Sequence, residues 1–319
     1  MQKRNIWKYK TFLLNNLDFF CKLYYNNLVN LYFRVKIYSL FYRRDVSMMD
    51  KISLAGDLGS GKSTVSDILI SRLGAEYYST GAIVRSIAAS KGMTVTELNK
   101  YMETHPEIDH EIDDGIKALS DVDKFLIIDS RMAWHFTRGT FKVYMSCDFE
   151  TSALRIMYAK RQGEQTSTLE EMIDCTRSRR ESEKKRYMEQ YGVNIKDLSN
   201  YSLIVDTTAA SPEEVAECII NCFERWQKDK SYTAAFLSPE RLNYPDRQPD
   251  ELLLAEYSSL YEAGEELPTV LVTERDGEFY VVEGLESALA YSLNFATFIP
   301  AKLVDKQPVG EYVRMKNSL

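Results

Sequence analysis

Apolar residues fall along this chain in short unbroken runs separated by stretches of helical periodicity, the pattern of strands buried on both faces alternating with amphipathic helices. Lys51-Ile-Ser-Leu-Ala-Gly56, Lys124-Phe-Leu-Ile-Ile-Asp129, Phe141-Lys-Val-Tyr-Met145 and Leu203-Ile-Val-Asp206 read as such strands. After the first, Val65, Ile68, Leu69 and Leu73 recur at helical spacing before Gly74, a natural helix stop. Ser211, Pro212 and Glu214 mark a capped helix start, and the stripe Val215, Cys218, Ile219, Cys222 and Trp226 is its core face. The alternation predicts an α/β fold, a doubly wound parallel sheet of about five strands, over residues 48–230.

The pattern changes beyond Lys230. Prolines at 239, 245 and 249 read as a linker into a second unit, 231–319. There Thr269-Val-Leu-Val-Thr273 and Phe279-Tyr-Val-Val282 flank Asp276-Gly277, a hairpin signal. A short helix around 285–293 and a strand near 299–304 complete a small α+β domain. This segment has 7 Lys and Arg against 15 Asp and Glu, a net charge of −8.

The first 47 residues contain 12 aromatics and six Asn but no Gly, Ala, Pro, Glu or His, and carry nine Lys and Arg against two Asp. That bias is the one AT-rich codons impose, so the segment reads as translated upstream sequence with the start expected at Met48 or Met49. Its charges interrupt every apolar run before the roughly 20 residues of a membrane span, so no membrane partner is expected, with a basic aromatic segment lying on a membrane surface as the alternative reading. Five cysteines without CxxC spacing suit free thiols in a reducing cytoplasm. Three histidines and no HExxH pattern point to no dedicated metal centre.

Candidate chemistry concentrates at Gly56-Asp-Leu-Gly-Ser-Gly-Lys-Ser-Thr64, placed between a strand and a helix. Gly56, four residues, then Gly61, Lys62 and Ser63 is the spacing of a phosphate-cradling loop. Gly56, Gly59, Ser60, Gly61, Lys62, Ser63 and Thr64 are the expected ATP-binding residues. Lys62 would bridge the β- and γ-phosphates and the Ser63 hydroxyl would ligate Mg²⁺, joined by Asp129 at its strand end. An enzyme joining two phosphates must neutralise both, and arginines are available in Arg177, Arg179, Arg180 and Arg186, interleaved with Glu181 and Glu183, and singly as Arg85 and Arg131.

The stretch 52–222 resembles the cytidylate kinases, in particular their compact type. The likeness rests on the loop, on Tyr77-Tyr-Ser-Thr-Gly-Ala-Ile-Val-Arg85, on Pro106-Glu-Ile-Asp109 with Ile112-Asp113, on Asp129-Ser-Arg131, on Arg179-Arg-Glu-Ser-Glu-Lys-Lys-Arg-Tyr187 with Tyr191-Gly192, and on Ser211-Pro-Glu-Glu-Val215. It implies a helical lid and phosphorylation of a pyrimidine nucleoside monophosphate, CMP or dCMP, by ATP with Mg²⁺. Arg85 and Arg131 would hold the acceptor beside Thr80 and Gly81, and Asp109 and Asp113 would line the nucleoside pocket. Arg179, Glu183 and Arg186 would form the lid, making Arg179 and Arg186 catalytic together with Lys62.

Two departures matter. Ser130 stands where the family usually has Gly, and Met132-Ala-Trp-His-Phe136 is bulkier than the usual small residues, which is expected to crowd the acceptor pocket. The alternative is a nucleotide-binding regulatory protein signalling through its acidic tail, but the joint presence of Lys62, Arg85, Arg131, Arg179 and Arg186 favours an enzyme. The tail, from Leu267-Pro268 through the hairpin to Ile299-Pro300, resembles the ParB-like domain shared by partition proteins and sulfiredoxin. It has Gly284-Leu285-Glu286 in place of that family's basic motif. Its negative charge argues against nucleic-acid binding and points to an interaction or regulatory role with a protein partner.

Overall fold

In the computed structural model, residues 50–159 and 168–314 are described; the expected extension 1–47 and the start at Met48 or Met49 lie outside them. Five parallel strands form the first half of the sheet: β1 (Lys51–Gly56), β2 (Glu76–Ser79), β3 (Leu126–Asp129), β4 (Thr140–Ser146) and β5 (Leu203–Asp206). Their spatial order is β2-β3-β1-β4-β5, with Ile52 opposite Ile127 on one side and Phe141 on the other. Every residue of β1 is buried, as expected for a central strand covered on both faces.

The connecting helices are α1 (Lys62–Leu73), α2 (Thr80–Ser90), α3 (Val95–Met102), α4 (Pro106–Ala118), α5 (Ala133–Phe136), α6 (Phe149–Tyr158), α7 (Leu169–Tyr191) and α8 (Pro212–Lys228). On one face Val65 and Leu69 of α1 and Val215, Ile219, Phe223 and Trp226 of α8 pack on Leu54, Phe141, Val143 and Leu203. The Ser211 and Glu214 capping box starts α8 as its sequence indicates, and Thr168 with Glu171 starts α7 in the same way. Among the described residues no helix is long and apolar enough to cross a membrane.

The expected linker after Lys230 is instead sheet. β6 (Ala234–Leu237) pairs parallel with β5, β10 (Ile299–Leu303) pairs antiparallel with β6, and β8 (Val270–Arg275), β9 (Glu278–Glu283), β7 (Leu242–Pro245) and β11 (Tyr312–Arg314) extend the order to β11-β7-β9-β8-β10-β6-β5. Without β6 the backbone groups along one side of β5 would lack partners. Val205 of β5 faces Phe236, which stacks edge-on against Phe298. The expected hairpin forms, Asp276 and Gly277 taking φ 53° and 84°, as a type I′ turn requires. Helices α9 (Glu251–Glu262) and α10 (Leu285–Leu293) complete the tail; α9, capped by Asp250 accepting from the Leu252 and Leu253 N–H groups, was not expected.

Gly56 joins the sheet to the loop at φ 138°, and a Cβ there would lie 2.2 Å from the Met145 carbonyl oxygen. Since that obstacle is backbone of the adjacent strand, Gly56→Ala should lower stability by about 3 kcal/mol from strain and overpacking, read as a reduced urea midpoint with unchanged slope.

Candidate active site

The carboxyl ends of β1, β3, β4 and β5 lie on one side of the sheet, where open α/β folds bind ligands. The loop after β1 passes through Gly61, the left-handed N-cap of α1 (φ 81°), so the first turn of α1 presents backbone N–H groups and a positive dipole end to an anion. Gly59 has φ 69°, and a Cβ on it would come within 2.5 Å of the Ser152 carbonyl oxygen. The Lys62 ammonium donates to the carbonyls of Asp57 (2.7 Å) and Gly56 (3.2 Å). Burial, and then the neighbouring Arg131 guanidinium, push Lys62 down to about 7; a polyphosphate alongside would act in the opposite direction.

Beside the loop opens a cleft of about 380 Å³ that gathers nearly all the residues singled out from sequence. Gly59, Ser60, Gly61, Lys62 and Ser63 form its floor; Thr80, Gly81 and Arg85 come from α2, Asp109 and Asp113 from α4, Asp129 and Arg131 from the end of β3, and Arg179, Glu183 and Arg186 from α7. Gly56 lines a small space under the loop, and Thr64 is exposed on the first turn of α1. Asp109 and Asp113 share a helix face at i,i+4; Arg179, Glu183 and Arg186 do so at i, i+4 and i+7. Ser63 and Asp129 supply hydroxyl and carboxylate oxygens, donors that suit a hard divalent cation, and the Tyr77 hydroxyl donates to Asp129 at 3.2 Å. Among the described residues no cluster of three or more His, Cys, Asp or Glu forms a metal cage.

The charged groups are cross-linked. Glu183 accepts from Arg131 Nε at 2.8 Å and from Arg179 Nε at 3.2 Å, and Arg131 Nη1 donates to the Gly56 carbonyl at 2.6 Å. Burial alone would raise the Glu183 carboxyl; Arg131 and Arg179 more than reverse this and hold it down to about 2. Arg186 Nε lies 3.2 Å from Asp109 Oδ2, and Tyr191 donates to Asp113. Burial raises both aspartates, and the neighbouring Asp113 raises Asp109 further.

Sequence reasoning missed a second cluster beneath the loop. Asp57, buried, accepts from Lys196, from the Tyr144 hydroxyl at 2.8 Å and from the Cys147 N–H at 3.0 Å, with Arg180 of α7 at 3.6 Å. Burial opposes its ionisation, but Lys196 and Arg180 together hold it well below the usual carboxylate range. Arg180 was among the arginines singled out from sequence, but Asp57 occupies a position that the loop pattern leaves open and Lys196 is remote in sequence, so their pairing left no local signal beyond an aspartate inside a glycine loop.

The expected crowding of the acceptor pocket does not occur. Met132, Ala133 and Trp134 are buried, and Trp134 packs against Tyr201 under the sheet, 5.3 Å between centroids, with its indole N–H donating to the Arg131 carbonyl at 2.9 Å. None of residues 132–136 lines the cleft. Ser130 does, with its hydroxyl turned to accept the Met132 N–H at 3.2 Å.

Residues 52–179 match a family model described as an AAA domain. A cytidylate kinase of Thermoplasma volcanium is 35% identical over 191 residues, 59% of this chain and 98% of that protein. One from Archaeoglobus fulgidus is 35% identical over 175 residues, 54% of this chain and 94% of that protein. A solved shikimate kinase from Bacteroides thetaiotaomicron aligns with a TM-score of 0.41 at 15% identity, over 55% of this chain and 98% of that one, a likeness without weight for the chemistry.

Because its folded carboxyl is held below the ordinary value of 4.5, Glu183 contributes stability that is present above that pH and lost as pH falls through about 2. Glu183→Gln leaves two arginines facing a neutral amide and should cost about 3 kcal/mol at pH 7, with the difference from the unmodified chain shrinking towards pH 2 in denaturant titrations.

Proposed function

The chain belongs to the cytidylate kinase family and is a nucleotide kinase, and from that premise we propose that its acceptor is CMP or dCMP and its donor ATP carried with Mg²⁺. The observation that supports this reading most directly is the single cleft in which Lys62 of the anion-binding loop faces Arg85, Arg131, Arg179 and Arg186. One phosphate needs the loop; two need the arginines as well.

In this reading the loop amides and Lys62 would hold the β- and γ-phosphates, and Ser63 and Asp129 would hold the Mg²⁺ that ATP brings, which would neutralise phosphate charge. An anionic oxygen of the acceptor's phosphate attacks the γ-phosphorus, the bond from that phosphorus to the β–γ bridging oxygen breaks, and ADP leaves with the electron pair. No side-chain base is required, because the attacking oxygen is already ionised. Charge spreads over the transferred group in a loose transition state, so the contribution of Arg179 and Arg186 is positioning and electrostatic, and the walls of α4 and α7 limit access of water. At the acceptor end Asp109 and Asp113 offer oxygens that accept from the exocyclic amino group of cytosine. Uracil, with a carbonyl at that place, would meet a carboxylate instead.

A cytoplasmic location is part of the proposal, in keeping with the free Cys147, Cys175, Cys218 and Cys222. So is an interaction role for the acidic tail. The catalytic reading is tested by ADP release from the full chain with CMP, dCMP, UMP and AMP. CMP and dCMP should accelerate turnover well above the rate without acceptor, and Lys62→Met should lower kcat by about a thousandfold. If no monophosphate accelerates turnover while ATP still binds, the regulatory alternative takes its place.

A further inference from the structure

The C-terminal segment reaches the nucleotide end of the sheet: β6 runs parallel to β5 with Val205 opposite Phe236, so the turn that follows β6 lies beside the end of β5. Arg241, in the turn between β6 and β7, is 4% exposed. Its Nε lies 3.7 Å from Asp206 Oδ2, its Nη2 donates to the Gly277 carbonyl at 3.0 Å, and the guanidinium stands 5.5 Å over the Phe279 ring. Asp206 ends β5 and is wholly buried. One of its oxygens accepts from the Thr208 N–H at 2.8 Å; the other has no hydrogen-bond donor among the described residues and faces Arg241 as its counter-ion.

The loop that Asp206 starts is tied to the phosphate site. Arg155 of α6 donates to the Thr207 carbonyl at 2.7 Å and to the Thr208 carbonyl at 3.3 Å, and the Thr208 hydroxyl accepts from the Asp148 N–H at 3.2 Å. One turn earlier in α6, Ser152 donates to the Leu58 carbonyl of the phosphate loop and abuts Gly59. The cleft with the acceptor residues runs from this loop toward β3 and β2. A triphosphate seated on the loop with its γ-phosphate toward that cleft must carry its sugar and base the other way, over the ends of β4 and β5.

We infer that Arg241 is a positioning residue for the donor nucleotide: through Asp206 it fixes the 207–210 loop against which the ATP base lies, making the C-terminal segment a working part of the kinase. The inference rests on the kinase reading. It separates from a merely structural role because an anchor for the donor loop affects the donor and not the acceptor.

The test uses the full chain with a fluorescent ribose-labelled ATP and, separately, the KM values of ATP and CMP. Arg241→Gln should weaken labelled-ATP binding about fivefold and raise the KM for ATP similarly, with the KM for CMP unchanged within about twofold. Arg241→Lys, which keeps the charge, should recover part of the affinity, and circular dichroism reports whether each variant is folded. A folded Arg241→Gln chain that binds labelled ATP as the unmodified chain does, or that loses donor and acceptor affinity equally, overturns the inference alone. If Arg241→Gln does not fold, the Lys variant decides: unchanged ATP affinity overturns the inference and a selective loss upholds it. An unmodified chain that binds no labelled ATP overturns the kinase reading and the inference together.

Discussion

The site depends on one buried carboxylate. Glu183 sits between Arg131, which follows the central sheet, and Arg179, one turn away on its own helix. Arg131 in turn holds the Gly56 carbonyl at the start of the phosphate loop. Strand, loop and α7 are thereby fixed by a chain of charge-assisted hydrogen bonds, which are shorter and stronger than neutral ones. Without the carboxylate, several guanidinium groups and Lys62 would face one another in a confined space, where like charges are poorly screened. Asp57 answers the same need from below, with Lys196 and Arg180 around it, so the loop rests on a carboxylate on either side of its own backbone.

This arrangement accounts for what could be read in the sequence. Four of the five parallel strands were legible because continuous apolar runs next to glycines and acids have few other interpretations, whereas β2, Glu76-Tyr-Tyr-Ser79, is half-exposed and carries no such run; the loop was legible because its glycines answer to local backbone geometry, as the close contacts at Gly56 and Gly59 show. The arginines and acids of the cleft were legible as types at the right helical spacing, but their partners were not. That Arg131 is shared between Glu183 and a carbonyl, or that Asp57 meets a lysine 139 residues away, depends on tertiary placement with no local trace. The misjudged stretch, Trp134 to Phe136, shows the same limit: side-chain volume is evident in sequence, but which side of the backbone it fills is not.

The linker expected after Lys230 was misjudged for a different reason. Ala234-Ala-Phe-Leu237 is too short, and too rich in alanine, to announce a strand, and three prolines nearby suggest a linker. Tertiary pairing supplies what propensity does not: β5 offers a row of unsatisfied backbone groups, and β6 satisfies them. Once β6 is in place the rest of the tail continues the same sheet, and its charge is no longer that of a detached module. Arg241, one of its few cations, is turned inward to meet Asp206.

A site whose arginines already hold carboxylates would be too neutral to hold phosphates but for the geometry of the guanidinium. Arg131 uses Nε and Nη1 for Glu183 and the Gly56 carbonyl, which accounts for two of five N–H donors in a rigid planar fork. Holding one edge of the fork fixes the direction of the other, and side-chain ordering that would otherwise oppose binding is settled on folding instead. The cost is Coulombic: each carboxylate screens part of the positive charge. Glu183 screens two arginines at once and leaves Lys62 beside them, whereas toward α4 the two carboxylates Asp109 and Asp113 face the single Arg186. The net field in the cleft is therefore positive toward the phosphate loop and more nearly balanced toward α4, a gradient that suits phosphates at one end and a hydrogen-bonding base at the other.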